Sequence, residues 1–270
     1  MKISVLVGLI AALFISGLQA FAVTAVSTDL ELRRGEDVQK AAFKMNAGCY
    51  VRPLNDKESL LIASMGQMMN GGYSINIKKA VETDHKITID VVQTSPGPDG
   101  MVTMALTWPQ DAVAIKKSDK PIVFSVVSYS GKRVSESEMY YIPAQTFNGY
   151  GETDDGFGTK VINDEKSWKE IWAKIETGKP APVIDFEKYT AAAICLGGKN
   201  NGKDLSIKNI QTQDAVLHVF YILNQQPENA VKNNAYTIAI LPKYTDKILF
   251  EEAVVTKTDG GADCMAPELQ

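Results

Sequence analysis

The sequence predicts an α+β fold that is mainly antiparallel β, arranged as two similar β-rich modules, each a curled sheet or small sandwich with a short helix. Three observations lead there. Apolar and polar residues alternate with period two through most of the chain. The strand–helix–strand rhythm of a parallel α/β sheet is missing. One half of the chain also reads as an approximate copy of the other.

The copy is traced by residues at a near-constant offset. Gly66 corresponds to Gly197 and Asn70-Gly71 to Asn201-Gly202, both 131 positions apart. Ile75 and Ile77 correspond to Leu205 and Ile207, and Ile87 and Ile89 to Leu217 and Val219, all at 130. Phe124 corresponds to Phe250 at 126, so a loop is shorter in the second copy.

The first 22 residues, one Lys followed by an apolar run from Ile3 to Leu18 and then Ala20-Phe21-Ala22, have the form of a cleavable secretory signal. A membrane anchor would need a longer unbroken run. No Cys follows the cleavage point, so no lipid attachment is expected, and the protein is expected to be secreted or periplasmic, with no membrane insertion once the signal is removed.

The first module is expected over 23–128. A short helix fits 35–45, where Val38, Ala41, Ala42 and Met45 recur at helical spacing. Strands follow at 48–53, 60–66, 73–81, 86–93, 101–107, 112–116 and 121–127, separated by turn-forming Gly, Pro, Asn and Asp. Residues 129–157, rich in Ser and Gly, read as a linker and the start of the second module, which is expected over 158–255. There DEKSWKEIWAKI sets Trp168, Ile171, Trp172 and Ile175 on one helical face, with Asn163 or Asp164 as N-cap and Gly178-Lys179-Pro180 as stop. At that spacing the two Trp are expected to pack on the sheet. Strands are expected at 190–197, 204–211, 215–224, 235–241 and 246–254, with a flexible tail over 256–270.

Reactive groups are few. The net charge of −4 and the lack of a basic run argue against a nucleic-acid partner. Only His85 and His218 are present, in different copies, without zinc-ligand spacing. No GxSxG elbow and no glycine-rich phosphate loop occurs. Glu152, Asp154 and Asp155 lie close together but lack the spacing of a calcium loop. Cys49, Cys195 and Cys264 make an odd set, so the pairing stays open. No cofactor, no metal and no catalytic residue is expected, and the chain is expected to bind rather than catalyse.

The most distinctive local feature is GQMMNGGYSINI. Gly71 and Gly72 permit positive φ, and Tyr73 would stand at the mouth of the next strand. Asn70, Gly71, Gly72, Tyr73 and Ser74 are therefore the candidate partner-binding residues. The alternative is an ordinary hairpin turn with Tyr73 packed on the sheet.

These same residues carry a family resemblance. IASMG, NGGYSINI, ITIDVVQTSPGPDG, VTMALTWPQDAVAI and KPIVF resemble the C-terminal domain of the protease-complex subunit PrcB family. SWKEIWAKI with PAPVIDFEKYTAAAICLGG is similar to the same family at its other end. The first copy lacks a Trp-x-x-x-Trp helix and the second lacks Gly-Gly-Tyr. The resemblance implies an exported, non-enzymatic protein that associates with and stabilises an extracellular protease, and it implies no catalytic residues. A protease inhibitor acting through Gly-rich loops is the first alternative, and a hydrolase of cell-surface polymer, using His85 or His218, the second.

Overall fold

Alternation of apolar and polar side chains over five to eleven residues produces strands with one buried face, and the chain is mostly strand. The computed structural model describes residues 27–151, 156–197, 202–213, 215–226 and 234–253. The expected signal peptide and tail, Glu152, Asp154, Asp155, Asn200, Asn201 and Cys264 lie outside the described residues.

In chain order the elements are β1 (Thr28–Asp29), α1 (Glu36–Ala41), β2 (Ala47–Pro53), β3 (Glu58–Met65), β4 (Ser74–Glu82), β5 (Ile87–Ser95), β6 (Gln110–Lys116), β7 (Ile122–Ser130) and β8 (Arg133–Ile142). The second half continues with β9 (Gln145–Tyr150), β10 (Gly158–Ile162), α2 (Glu165–Ile175), β11 (Tyr189–Cys195), β12 (Lys203–Gln213), β13 (Val216–Gln225), β14 (Ala235–Pro242) and β15 (Ile248–Glu252). They form one eight-stranded sheet in the order β1-β4-β5-β7-β8-β12-β13-β15, a four-stranded sheet β10-β11-β14-β9 and a three-stranded sheet β2-β3-β6.

Each small sheet packs one face on the large sheet and the other on a helix. Leu61, Ala63, Val113 and Ile115 meet Ile75, Ile77, Ile89 and Phe124 in the first core. Ala192, Ile194, Ala239 and Leu241 meet Leu205, Ile207, Ile210 and Val219 in the second. On the outer faces Val38 and Ala42 of the α1 segment cover Leu60, Ile62, Ala112 and Ala114. Likewise Trp168, Ile171, Trp172 and Ile175 of α2 cover Ala191, Ala193, Ile238 and Ile240. The helix α2 starts where the sequence indicates, with the Asp164 carboxylate accepting the Ser167 N–H at 2.8 Å.

Pairing registers recur at the sequence offsets. The β4–β5 hairpin slips its register between Ile77 and Lys79, and the β12–β13 hairpin slips between Ile207 and Asn209, 130 residues on. The parallel pair β5–β7 sets Ile87 against Ile122 and Ile89 against Phe124. The parallel pair β13–β15 sets Leu217 against Ile248 and Val219 against Phe250. Gly66 and Gly197 share positive φ (71° and 70°), as do Gly72 and Gly202 (87° and 77°). Thus the residue matching Gly202 in backbone conformation is Gly72, not Gly71 as the sequence offset suggested.

The structure corrects three expectations. Separate sheets for the two halves do not form: β8 pairs with β7 on one edge and β12 on the other, making one continuous large sheet. Residues 129–157, read as a linker and the start of the second module, supply two strands, β8 and β9, so most of the stretch is strand rather than linker, because Tyr140, Tyr141 and Ile142 find apolar partners on both sides of that sheet. Residues 101–107 are not a strand. They pair only through isolated contacts with the loop 66–71, which is itself too irregular to extend a ladder.

Because successive side chains of a strand point to opposite faces, β8 reverses the packing. Tyr140 and Ile142 pack at the first core, while Tyr141 lies in the second. The two small sheets therefore lie on opposite faces of the large one.

Phe124 is fully buried, whereas its counterpart Phe250 is only half-buried on the end strand β15. Phe124→Ala should cost about 3–5 kcal/mol. Phe250→Ala should cost only about 1–2 kcal/mol, since less apolar area leaves water in the folded state. Urea unfolding of the two variants side by side checks this; equal losses would contradict the difference in burial.

Candidate functional site

The predicted turn belongs to a pair of laced loops at one end of the first half. Gly66 ends β3 at φ 71°, where an added Cβ would stand 2.9 Å from the Ala47 nitrogen. The chain then runs back beside residues 101–107. Met68 N–H donates to the Thr107 carbonyl (2.8 Å), and Thr107 N–H returns the bond to Met68 (3.0 Å). Gly71 N–H donates to the Thr103 carbonyl (2.8 Å), and the Thr107 hydroxyl donates to the Asn70 carbonyl (2.9 Å).

This lacing decides where each of the five candidate residues sits. Gly71 is buried, and a Cβ there would lie 2.4 Å from the Thr103 hydroxyl oxygen. Gly72 is exposed at φ 87°, and a Cβ would lie 2.8 Å from Val102 Cγ1. Asn70 is half-buried, with its side-chain oxygen buried and without a hydrogen-bond partner among the described residues. Tyr73 is half-buried, and Ser74 is exposed at the start of β4. The five are thus contiguous on the loop pair but not a free-standing tip, and its two glycines serve close packing against 102–103.

The loop pair presents several large apolar side chains to solvent. Met69 is 75% exposed, Met104 89% and Leu106 51%, and Met101 is fully exposed. Beside them Lys44 lays its ammonium 4.4 Å from the Trp108 ring centroid and 5.3 Å from that of Phe43, itself 72% exposed. A cation over a ring face is attracted by the ring quadrupole, so Lys44 ties Phe43 to the loop carrying Met104 and Leu106. Large exposed apolar side chains gathered in one region mark interaction surfaces, and the flexible, polarizable thioether suits Met to irregular protein contacts. The sequence carries a trace of this surface in Met68-Met69 and Met101-x-x-Met104, both lying between strands. Reading 101–107 as a strand hid it.

The histidines stand apart from each other. His85 is half-buried in the β4–β5 turn. His218 on β13 holds its Nδ1 2.7 Å from a Glu251 carboxylate oxygen on β15 and stacks on Phe220, ring centroids 5.8 Å apart. Phe220 also lines a cleft of about 530 Å³ with Cys49, Met65, Tyr140, Asn209 and Gln211. Burial pushes the Cys49 thiol well above its ordinary range, with the Glu138 charge adding to the effect, so it is held as an inert thiol. Cys195 is likewise buried, its thiol 3.0 Å from the Asn234 side-chain oxygen. No cluster of three or more metal-ligating side chains occurs among the described residues.

Residues 59–116, running from β3 to β6 and containing the laced loops, match the PrcB C-terminal family. The match covers about a fifth of the chain, and this segment is similar to a PrcB C-terminal domain. No curated protein and no solved structure matches the chain.

Gly72→Val should destabilise the laced loops by about 1–3 kcal/mol, because a β-branched residue is strained at that φ and meets Val102. Limited proteolysis should then cut first within 66–73 or 96–107. Unchanged cleavage kinetics would show that the loops are not held together here.

Proposed function

We propose that this chain is an exported, non-enzymatic protein-binding protein, made of two divergent PrcB-like copies, that associates with and stabilises an extracellular protease. The observation that carries the reading is the apolar surface of Met69, Met101, Met104 and Leu106 around the Asn70–Ser74 turn. It lies inside the segment that matches the PrcB C-terminal family. Repeated registers, the repeated slip and the paired positive-φ glycines support the reading of two copies. The Lys-led apolar run of the first 22 residues supports export.

The test uses the chain without residues 1–22, immobilised and exposed to the exported proteins of the producing cell. A protease should be retained in near-stoichiometric amount. Met69→Ser with Met104→Ser should weaken retention about tenfold or more, as loss of central interface anchors does, while leaving unfolding unchanged because both side chains are in water. Retention that ignores these substitutions and Tyr73→Ala would remove the surface from the account. A stabiliser lengthens the protease's half-life without lowering its turnover, whereas an inhibitor, the close alternative, lowers turnover.

One observation favours a second reading, hydrolysis of a cell-surface polymer: the His218–Glu251 pair has the spacing of a base and its orienting carboxylate. That reading requires His218→Ala with Glu251→Gln to abolish hydrolysis of isolated envelope polymer. Undiminished release of soluble fragments by the double variant would eliminate it.

A further inference from the structure

The repeated registers point to a strand position that is filled in the first half and open in the second. In the first half β7 pairs with β5 on one edge and with β8 on the other. In the second half β15 pairs with β13, in the register of β7 with β5, and ends the sheet. No strand among the described residues pairs with its other edge.

The orientation of the backbone groups follows from the bonds present. Leu217 N–H donates to the Lys247 carbonyl and Ala253 N–H to the Tyr221 carbonyl, so odd-numbered residues of β15 face β13. The N–H and C=O groups of Ile248, Phe250 and Glu252 therefore point outward, as those of Ile122, Phe124 and Val126 point toward β8. The side chains agree with this: Ile122 is 5% exposed and Phe124 fully buried, while Ile248 and Phe250 remain half-exposed at the rim of the second core.

We propose that the outer edge of β15 accepts an extended segment of the protein partner by antiparallel strand addition, in the register that β8 takes on β7. This deepens the proposed binding function and rests on it. In that register Tyr140 lies opposite Phe124 and Glu138 opposite Val126. The incoming segment thus places a bulky apolar residue opposite Phe250, closing the second core as Tyr140 closes the first. Opposite Glu252 it carries a basic residue, since a carboxylate there would oppose another. Main-chain bonds supply affinity in such additions and the alternate side chains supply selectivity. The chain's own sequence from Asp259 onward, DGGADCMAPELQ, has no β-branched or aromatic residue, unlike the Tyr140-Tyr141-Ile142 run of β8.

The probe is the peptide Ser-Lys-Met-Tyr-Tyr-Ile-Pro, residues 137–143 with Glu138→Lys, added to the full chain and followed by amide hydrogen exchange. In the free chain the amides of Ile248, Phe250 and Glu252 should exchange fast. At saturating peptide they should slow about tenfold or more. The same peptide N-methylated at the residue equivalent to Tyr140 should give no protection, and Glu252→Pro, which removes only an outward N–H, should abolish it. Slow exchange in the free chain, no protection by the peptide, or equal protection by the methylated peptide each overturns the proposal. If wild type retains a protease and Glu252→Pro retains it equally, the edge is not the contact, although the binding function stands. If the peptide protects the edge but no protein is retained, the slot is real and the binding function fails.

Discussion

The structure depends on β8 joining the two halves, by pairing with β7 along its length and with β12 through Met139 and Tyr140. Its pairing with β7 and with β12 turns what would be two sheets into one. Its side chains serve two cores alternately, Tyr140 and Ile142 at one and Tyr141 at the other. A strand whose alternate side chains enter two different cores cannot shift by one residue without exchanging which core receives which ring. That constraint fixes the register between the halves, and with it the placement of the small sheets on opposite faces.

Within each half the same space is filled by different residues. In both, the sheet face under the helix includes two large aliphatic residues and two alanines, Leu60, Ile62, Ala112 and Ala114 in the first and Ile238, Ile240, Ala191 and Ala193 in the second. The large pair sits on β3 in the first half and on β14 in the second. What differs most is the helix, which brings Val38 and Ala42 in the first half and Trp168 and Trp172 in the second.

Much of this was legible in the sequence, for a physical reason. Strand positions with one buried face alternate, so β2 to β7 and β11 to β15 could be read within a few residues, and the face of α2 residue by residue. What could not be read was pairing between distant strands. The β8 segment carries Ser135 and Ser137 and follows Gly131, which suggest a linker, and only the two cores on either side of it make Tyr140 and Tyr141 informative. The laced loops failed for the opposite reason. Val102, Met104 and Leu106 alternate as a strand does, yet their only partner is a glycine-containing loop that cannot extend a ladder. Of the residues Asn70 to Ser74, expected to reverse through successive positive φ, only Gly72 has positive φ. Two of them, Gly71 and Gly72, are special because a Cβ there would stand 2.4 Å from the Thr103 hydroxyl oxygen or 2.8 Å from Val102 Cγ1.

The two halves differ at two places. The connection between β5 and β6 is a fourteen-residue excursion, 96–109, whose exposed methionines lie beside the Gly-Gly turn, whereas the β13–β14 connection spans only residues 226–234. The first half thus carries an apolar surface and a completed sheet. The second carries a short connection and a sheet that ends at β15 with Phe250 half-covered. On the proposed binding function, the exposed loop of the first half and the edge of β15, unpaired among the described residues, are where a partner would be met. There one partner would be held by side chains at the loops and by backbone at the strand edge. Apolar loop contacts tolerate sequence change in the partner, while main-chain pairing tolerates it even more, because every residue except proline offers the same donor and acceptor. A binding protein built this way would recognise extended, apolar segments as a class rather than one sequence.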